Sequence, residues 1–91
     1  MKTISWDATK NDLLRRERDV TFEEVVIAIN DGNILDIIEH QDKKKFGHQL
    51  ILVVEINNYA YIVPYVENDK EVFLKTIIPS RKATKTYLFS K

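Results

Sequence analysis

The sequence predicts a small α+β domain, and three observations carry that reading. Two capped, helix-like segments occupy residues 7–33, strand-like alternation recurs from residue 34 to residue 78, and a helix-like segment follows from residue 81. A short alternating stretch precedes the first helix, so the order reads β-α-α-β-β-β-β-α. Strands that cluster after a helical pair favour an antiparallel sheet with helices packed on one face. Ninety-one residues suffice for a single domain, residues 1–91, with one modest core.

The elements follow in order. Thr3 to Trp6 alternates, with Ile4 and Trp6 on one face of a short strand. Asp7 is the N-cap of a polar helix from Ala8 to about Arg18, whose only apolar residues are Ala8, Leu13 and Leu14, so it belongs on the surface. Thr21 and Glu24 form a capping box, with Val20 placed to staple onto Val25. The helix they open carries Phe22, Val25, Val26 and Ile29 as one apolar stripe and ends at Asp31-Gly32-Asn33. Ile34 to Glu39 is the second strand, and a polar loop from Gln41 to Gly47 leads into the third, Gln49 to Ile56.

Asn57-Asn58 suits a two-residue hairpin turn that needs positive φ, and Tyr59 to Val66 returns. That register sets Ile56, Val54, Leu52 and Leu50 against Tyr59, Tyr61, Val63 and Tyr65, while Ile51, Val53 and Glu55 share the other face with Ala60, Ile62 and Pro64. Pro64 has no ladder donor and belongs near a strand end or a bulge. A turn at Glu67 to Lys70 and a strand from Glu71 to Ile78 complete the meander. Pro79-Ser80 breaks it, and Arg81 to Tyr87 reads as the last helix.

Composition excludes several chemistries. With no cysteine there is no disulfide, thiol nucleophile or thiolate metal site. Only Gly32 and Gly47 are available, too few for a glycine-rich phosphate loop, and no Gly-x-Ser-x-Gly turn occurs. The carboxylates fall mainly in caps and turns, where solvation and helix dipoles account for them. His40 and His48 stand eight residues apart and would need carboxylates from elsewhere to hold a metal, so neither metal nor cofactor is expected. No apolar run approaches the roughly 20 residues that cross a bilayer. The N-terminus has no apolar signal core either, which makes the cytoplasm the expected location, away from membranes.

A formal net charge of zero conceals a strong asymmetry. Residues 72–91 hold five basic side chains and no acidic one, whereas residues 1–71 hold all 14 carboxylates against nine Lys and Arg. The tail is therefore +5 and the body −5. Cations on a strand and at the start of a helix stay aimed at one polyanion, and nucleic acid is the commonest one in a cell. An acidic protein surface, or the acidic body itself, fits the same composition.

The basic and aromatic candidates are Arg15, Arg16 and Arg18 on the first helix, Lys43, Lys44 and Lys45 with His48 around the loop, and Lys75, Arg81, Lys82 and Lys85 in the tail. Lys75 interrupts an apolar strand between Phe73 and Ile77, so its ammonium must reach water or an anion. An edge lysine that discourages aggregation explains it equally well. Arg81 sits near a helix N-terminus, where a cation gains nothing from the helix dipole. Tyr87 and Leu88 are placed to pack the last helix.

Trp6-Asp7-x-x-Lys10-Asn11, then Val20-x-Phe22-Glu23-Glu24-Val25, then a hairpin, then Ile77-Ile78-Pro79-Ser80-Arg81-Lys82-Ala83-Thr84 resembles the BrnT-like toxins of the wider RelE/ParE group of bacterial toxin–antitoxin proteins. The likeness spans nearly the whole chain, and its strongest part is the closing Ser-Arg-Lys-Ala-Thr. It departs at Arg15-Arg16-Glu17-Arg18-Asp19, where BrnT-like chains commonly carry Lys-His-Gly.

The resemblance implies a RelE-like fold, a cognate antitoxin partner, and arrest of translation by cleavage of RNA, ribosome-bound messenger included. The implied reaction needs no metal: a 2′-hydroxyl attacks the adjacent phosphorus and leaves a 2′,3′-cyclic phosphate. Lys75 and Arg81 would stabilise the phosphorane, His48 (or His40) would move the proton, and Tyr87 is a reserve acid. A ParE-like topoisomerase inhibitor and a non-enzymatic protein-interaction domain remain the alternatives, since scaffold does not dictate function.

Overall fold

The computed structural model describes residues 2–39 and 49–89. Its elements are β1 (Thr3–Trp6), α1 (Ala8–Arg18), α2 (Phe22–Asn30), β2 (Ile34–Glu39), β3 (Gln49–Ile56), β4 (Tyr59–Glu67), β5 (Glu71–Leu74), β6 (Ile78–Pro79) and α3 (Arg81–Thr84), which runs on as a π-helical turn, Lys85–Phe89. They form a compact α+β domain around a mixed, six-stranded sheet of order β1-β5-β4-β3-β2, with β6 paired to β4. Among the described residues no helix is long and apolar enough to cross a membrane.

Local signals fix the helix ends. Asp7 accepts the Thr9 and Lys10 amides at 2.8 and 3.4 Å. Thr21 and Glu24 close the capping box reciprocally, an arrangement worth about 1 kcal/mol. Gly32, at φ +78°, ends α2 and lets the Asn33 amide reach the Ala28 carbonyl at 2.8 Å. Asp19 takes the left-handed conformation that turns α1 into α2. Asn11 then locks the two helices together: its Oδ1 accepts the Phe22 amide at 2.8 Å and its Nδ2 donates to Glu23 at 2.7 Å. That hydrogen bond from Asn11 is the main reason the Glu23 carboxyl lies below its ordinary pKa.

Two architectural expectations need correction. The sheet is not wholly antiparallel, because β1 runs parallel to β5, with Ile4 beside Val72 and Trp6 beside Leu74. No hairpin constrains the direction of β1. The parallel pairing places Ile4, Trp6, Val72 and Leu74 together against the core, and Trp6 stacks on Phe22 with ring centroids 5.7 Å apart. Nor do the helices share one face. Leu14, Phe22, Val25 and Ala28 of α1 and α2 pack on the Leu52, Val54, Val63 and Tyr65 side, whereas Ala83 of α3 packs with Val53 and Ala60 on the other. The hairpin is apolar on both faces, so each requires cover. α1 is also less superficial than its composition implies, since Leu14 is buried.

The strand expected from Glu71 to Ile78 is divided. Tyr65 pairs with Leu74 and Ile62 with Ile78, so three residues, Lys75 to Ile77, oppose two, Val63 and Pro64. This is a β-bulge. It lies where Pro64 lacks a donor: the Pro64 carbonyl accepts the Lys75 amide at 2.8 Å, and the following ladder bond cannot form. Arg18 reaches over from α1 and donates to the Ile77 carbonyl at 2.6 Å, which satisfies the backbone the bulge frees. The bulge also separates Lys75 from Ile77, which points into the core instead of sharing a face with it.

Candidate functional site

The acid-free tail is held to the sheet by a small set of polar bonds. Ser80 caps α3 by accepting the Ala83 amide at 3.0 Å. The Ser80 amide donates to the Ala60 carbonyl at 3.0 Å. Thr84, almost wholly buried, donates its hydroxyl to the Ser80 carbonyl at 2.7 Å and accepts the Ala60 amide at 2.9 Å. The threonine thus replaces the strand partner that Ala60 loses where β6 ends. With Ala83 and Thr84 turned inward, Arg81, Lys82 and Lys85 face solvent. Among the described residues none of these three has an ion-pair partner, the two salt bridges present being Lys2–Glu67 and Arg15–Asp12.

Lys75 stands on the bulge, exposed, with its Nζ 3.5 Å from Gln49 Oε1. Gln49 pairs with Val66, so the lysine stem crosses β4 on the face that also carries α3. Tyr87, on the π-helical turn, donates to Asp36 Oδ2 at 2.6 Å, and this bond is the largest of the causes that raise its phenol pKa. The other oxygen of the same carboxylate, Oδ1, accepts the Ile37 amide at 2.8 Å. Asp36 therefore ties the tail to strand β2. Sequence reasoning passed over it, as it did Thr84. A bulge between Ile34 and Asp36 turns the carboxylate toward the tail, and no local pattern announces that bulge.

Lys75, Arg81, Lys82, Lys85 and Tyr87 thus lie on one side of the sheet. Arg15, Arg16 and Arg18 do not join them: α1 packs on the opposite face, Arg15 is paired with Asp12, Arg16 bonds the Asp12 carbonyl, and Arg18 is committed to Ile77. His40, Lys43, Lys44, Lys45, His48 and Lys91 lie outside the described residues. Tyr65 is buried and Tyr61 half-buried in the helix-side core, and burial raises the pKa of both.

The tail presents its cations on an exposed surface. An open cleft of about 290 Å³ lies elsewhere, between α2 and the β3 end, and is lined by Glu24, Ile27, Asn33, Glu55 and Asn57 with no cation. Among the described residues no three His, Asp or Glu gather to hold a metal. Chemically, the tail face can bind and orient an anion, with the Tyr87 phenol as its proton donor and Asp36 as the acceptor that holds it. Comparison of the chain with models of protein families, with curated proteins and with solved structures finds no match.

Proposed function

We propose that this chain is a BrnT-like toxin of the RelE/ParE group, a cytoplasmic endoribonuclease that needs no metal, blocks translation, and is neutralised by a cognate antitoxin. One observation carries the reading: four cations, Lys75, Arg81, Lys82 and Lys85, stand exposed on one face of the sheet in a segment without a carboxylate. A bulge and a bonded helix fix their backbone, so they meet a phosphodiester with little reorganisation.

The RNA 2′-oxygen attacks the neighbouring phosphorus, the bond to the 5′-oxygen breaks, and the 2′-hydroxyl proton passes to the departing oxygen. The products are a 2′,3′-cyclic phosphate and a 5′-hydroxyl. Lys75 and Arg81 stabilise the negative charge that grows on the phosphorane, and Lys82 and Lys85 hold the flanking backbone. His48 moves the proton. Tyr87 is the reserve acid, available when its bond to Asp36 opens. Translation stops because messenger RNA, ribosome-bound or free, is the substrate.

The test is to induce the chain alone in bacteria and map RNA ends. New 5′-hydroxyl ends and growth arrest are the expected result. Intact RNA with broken DNA would replace this reading by topoisomerase inhibition, and unaffected growth in several hosts would leave only a protein-interaction domain.

A further inference from the structure

The last helical segment keeps one repeat through α3 and the π-helical turn. Ala83 and Thr84 turn inward, as do the half-buried Tyr87 and Leu88, while Arg81, Lys82, Lys85, Thr86 and Phe89 turn outward. The four-residue spacing sets Arg81, Lys85 and Phe89 one above the other on the solvent side, successive members one helical turn or roughly 5 Å apart. Phe89 is 71% exposed, more than any other large hydrophobic among the described residues. A lone exposed apolar side chain needs no explanation. This one shares a stripe with two cations that have no ion-pair partner among the described residues. Like charges one turn apart repel and weaken the helix that carries them. The turn beneath the ring is nevertheless pinned, by Tyr87 donating to Asp36 at 2.6 Å and Thr86 to the Lys82 carbonyl at 2.9 Å.

We propose that this stripe is a track for single-stranded nucleic acid, in which Arg81 and Lys85 hold successive phosphates and the Phe89 ring stacks on an unpaired base. One helical turn is close to the backbone length of one nucleotide, so the two cations match the repeat of a single strand. Stacking on an aromatic side chain asks only for an accessible π-face. A duplex keeps its base faces within its own stack and leaves the ring without a partner. An acidic peptide helix also carries suitable charge, but it needs an apolar floor, and a convex stripe with one ring offers none. Self-association through Phe89 would bury little more than one ring per copy, far below the about 800 Å² per partner of a stable interface. The stripe meets phosphate and base but not sugar, so ribose and deoxyribose strands bind it alike, and the larger π-face of a purine binds tighter than a pyrimidine. In the proposed reaction the phosphate at Arg81 is the scissile one, and Phe89 sets a purine preference on the flank of the cut. The track rests on the proposed nuclease reading only for the identity of the natural strand, RNA.

The test measures, by fluorescence anisotropy, binding of the full chain to labelled deoxyoligoadenylate, which has no 2′-hydroxyl and is not cut. An abasic strand of the same length keeps the phosphates and removes every base. The chain is expected to bind oligoadenylate at least about tenfold tighter than the abasic strand, roughly 1.4 kcal/mol, and tighter than deoxyoligothymidylate. Phe89→Ala should bring oligoadenylate down to the abasic level, and Phe89→Trp should keep the difference. Lys85→Gln should weaken both strands together and reduce the salt dependence of binding. The Phe89 ring resonances should move with oligoadenylate and stay in place with the corresponding duplex. These side chains are exposed, so the amide spectrum of each variant should stay dispersed.

Equal affinity for oligoadenylate and the abasic strand overturns the proposal, as does a preference that survives Phe89→Ala. So does a Phe89 ring that responds to polyglutamate, or to protein concentration alone, and not to oligoadenylate. Discrimination between the strands by a chain that leaves RNA intact upholds the track and removes the nuclease, and RNA cleavage by a chain that does not discriminate does the reverse.

Discussion

On one face of the sheet α1 and α2 seal a core in which Phe22, Val25, Val54 and Val63 lose all contact with solvent. On the other, Val53, Ala60 and Ala83 make a small cluster under α3, and the rest of the face is left partly exposed. Both faces belong to the same hairpin, so alternation along β3 and β4 supplies each equally. They differ in what the chain offers as cover. Two helices joined by Asn11 and a buried Leu14 close the first face by apolar contact, whereas the second is held through Thr84, Ser80 and the Asp36–Tyr87 bond. Stability belongs mainly to the first face, and the recognition proposed above belongs to the second.

The largest expected effect probes that division directly. Phe22→Ala should destabilise the fold by about 3–5 kcal/mol, the range for removing a buried aromatic side chain. Ile38→Ala on the open face should cost less than about 1 kcal/mol. Urea-unfolding midpoints compare the two. Similar losses would mean that the open face is as much a core as the closed one.

The next effect belongs to the polar seam. Thr84→Val keeps the shape but leaves the Ala60 amide without its acceptor, and an unsatisfied buried amide costs about 1–3 kcal/mol. Hydrogen exchange should quicken at Ala60 and through α3 before it does in α2. Unchanged protection there would mean that apolar contact of Ala83 alone holds the tail.

Much of this was legible in the sequence. Asp7, the Thr21–Glu24 box and Asp31-Gly32-Asn33 are local devices, and the structure uses each. The hairpin register follows from Asn57-Asn58, both of which adopt positive φ. Pro64 called for a strand end or a bulge, and a bulge formed opposite it. What escaped was non-local. β1 pairs with β5 far along the chain, Trp6 of β1 stacks on Phe22, and the bond of Arg18 to Ile77 spans 59 residues. The second helix-covered face could have been read, because Ile51, Val53, Ala60 and Ile62 make the hairpin apolar on both sides. A sheet with helices on one face leaves that pattern unexplained. Within the candidate site, the tail cations were legible from charge, whereas Asp36 required the β2 bulge to bring it beneath Tyr87.

Smaller in energy, but specific to function, are the tail cations. Lys75→Ala and Arg81→Ala should each slow RNA cleavage at least tenfold, about 1.4 kcal/mol of barrier. Both side chains are exposed, so unfolding free energy should move by no more than about 0.5 kcal/mol. Single-turnover cleavage of a labelled transcript, paired with urea unfolding, separates the quantities. Normal cleavage by both variants, with loss in His48→Ala or Arg16→Ala, would move the site to the loop or to the helix-covered face.

The smallest effect is the pH dependence of the tail. The hydrogen bond to Asp36, then burial, then the Asp36 charge raise the Tyr87 phenol above its ordinary value. The folded chain therefore holds this proton more tightly than the unfolded chain. Its contribution to stability is complete below the usual tyrosine pKa of about 10 and is lost as pH rises through the folded value. Burial raises Tyr61 and Tyr65 in the same direction, but they are packed into the closed face. Alkali should therefore loosen the π-helical turn Lys85–Phe89, where one phenol supplies the tether, before it disturbs the core. Ring resonances of Tyr87 followed against pH give its titration, and amide signals of the turn give its release. Asp36→Asn keeps an acceptor but removes the carboxylate, so Tyr87 should titrate at lower pH in that variant. An unchanged Tyr87 titration in Asp36→Asn, or simultaneous melting of turn and core, would show that the two faces are not held independently.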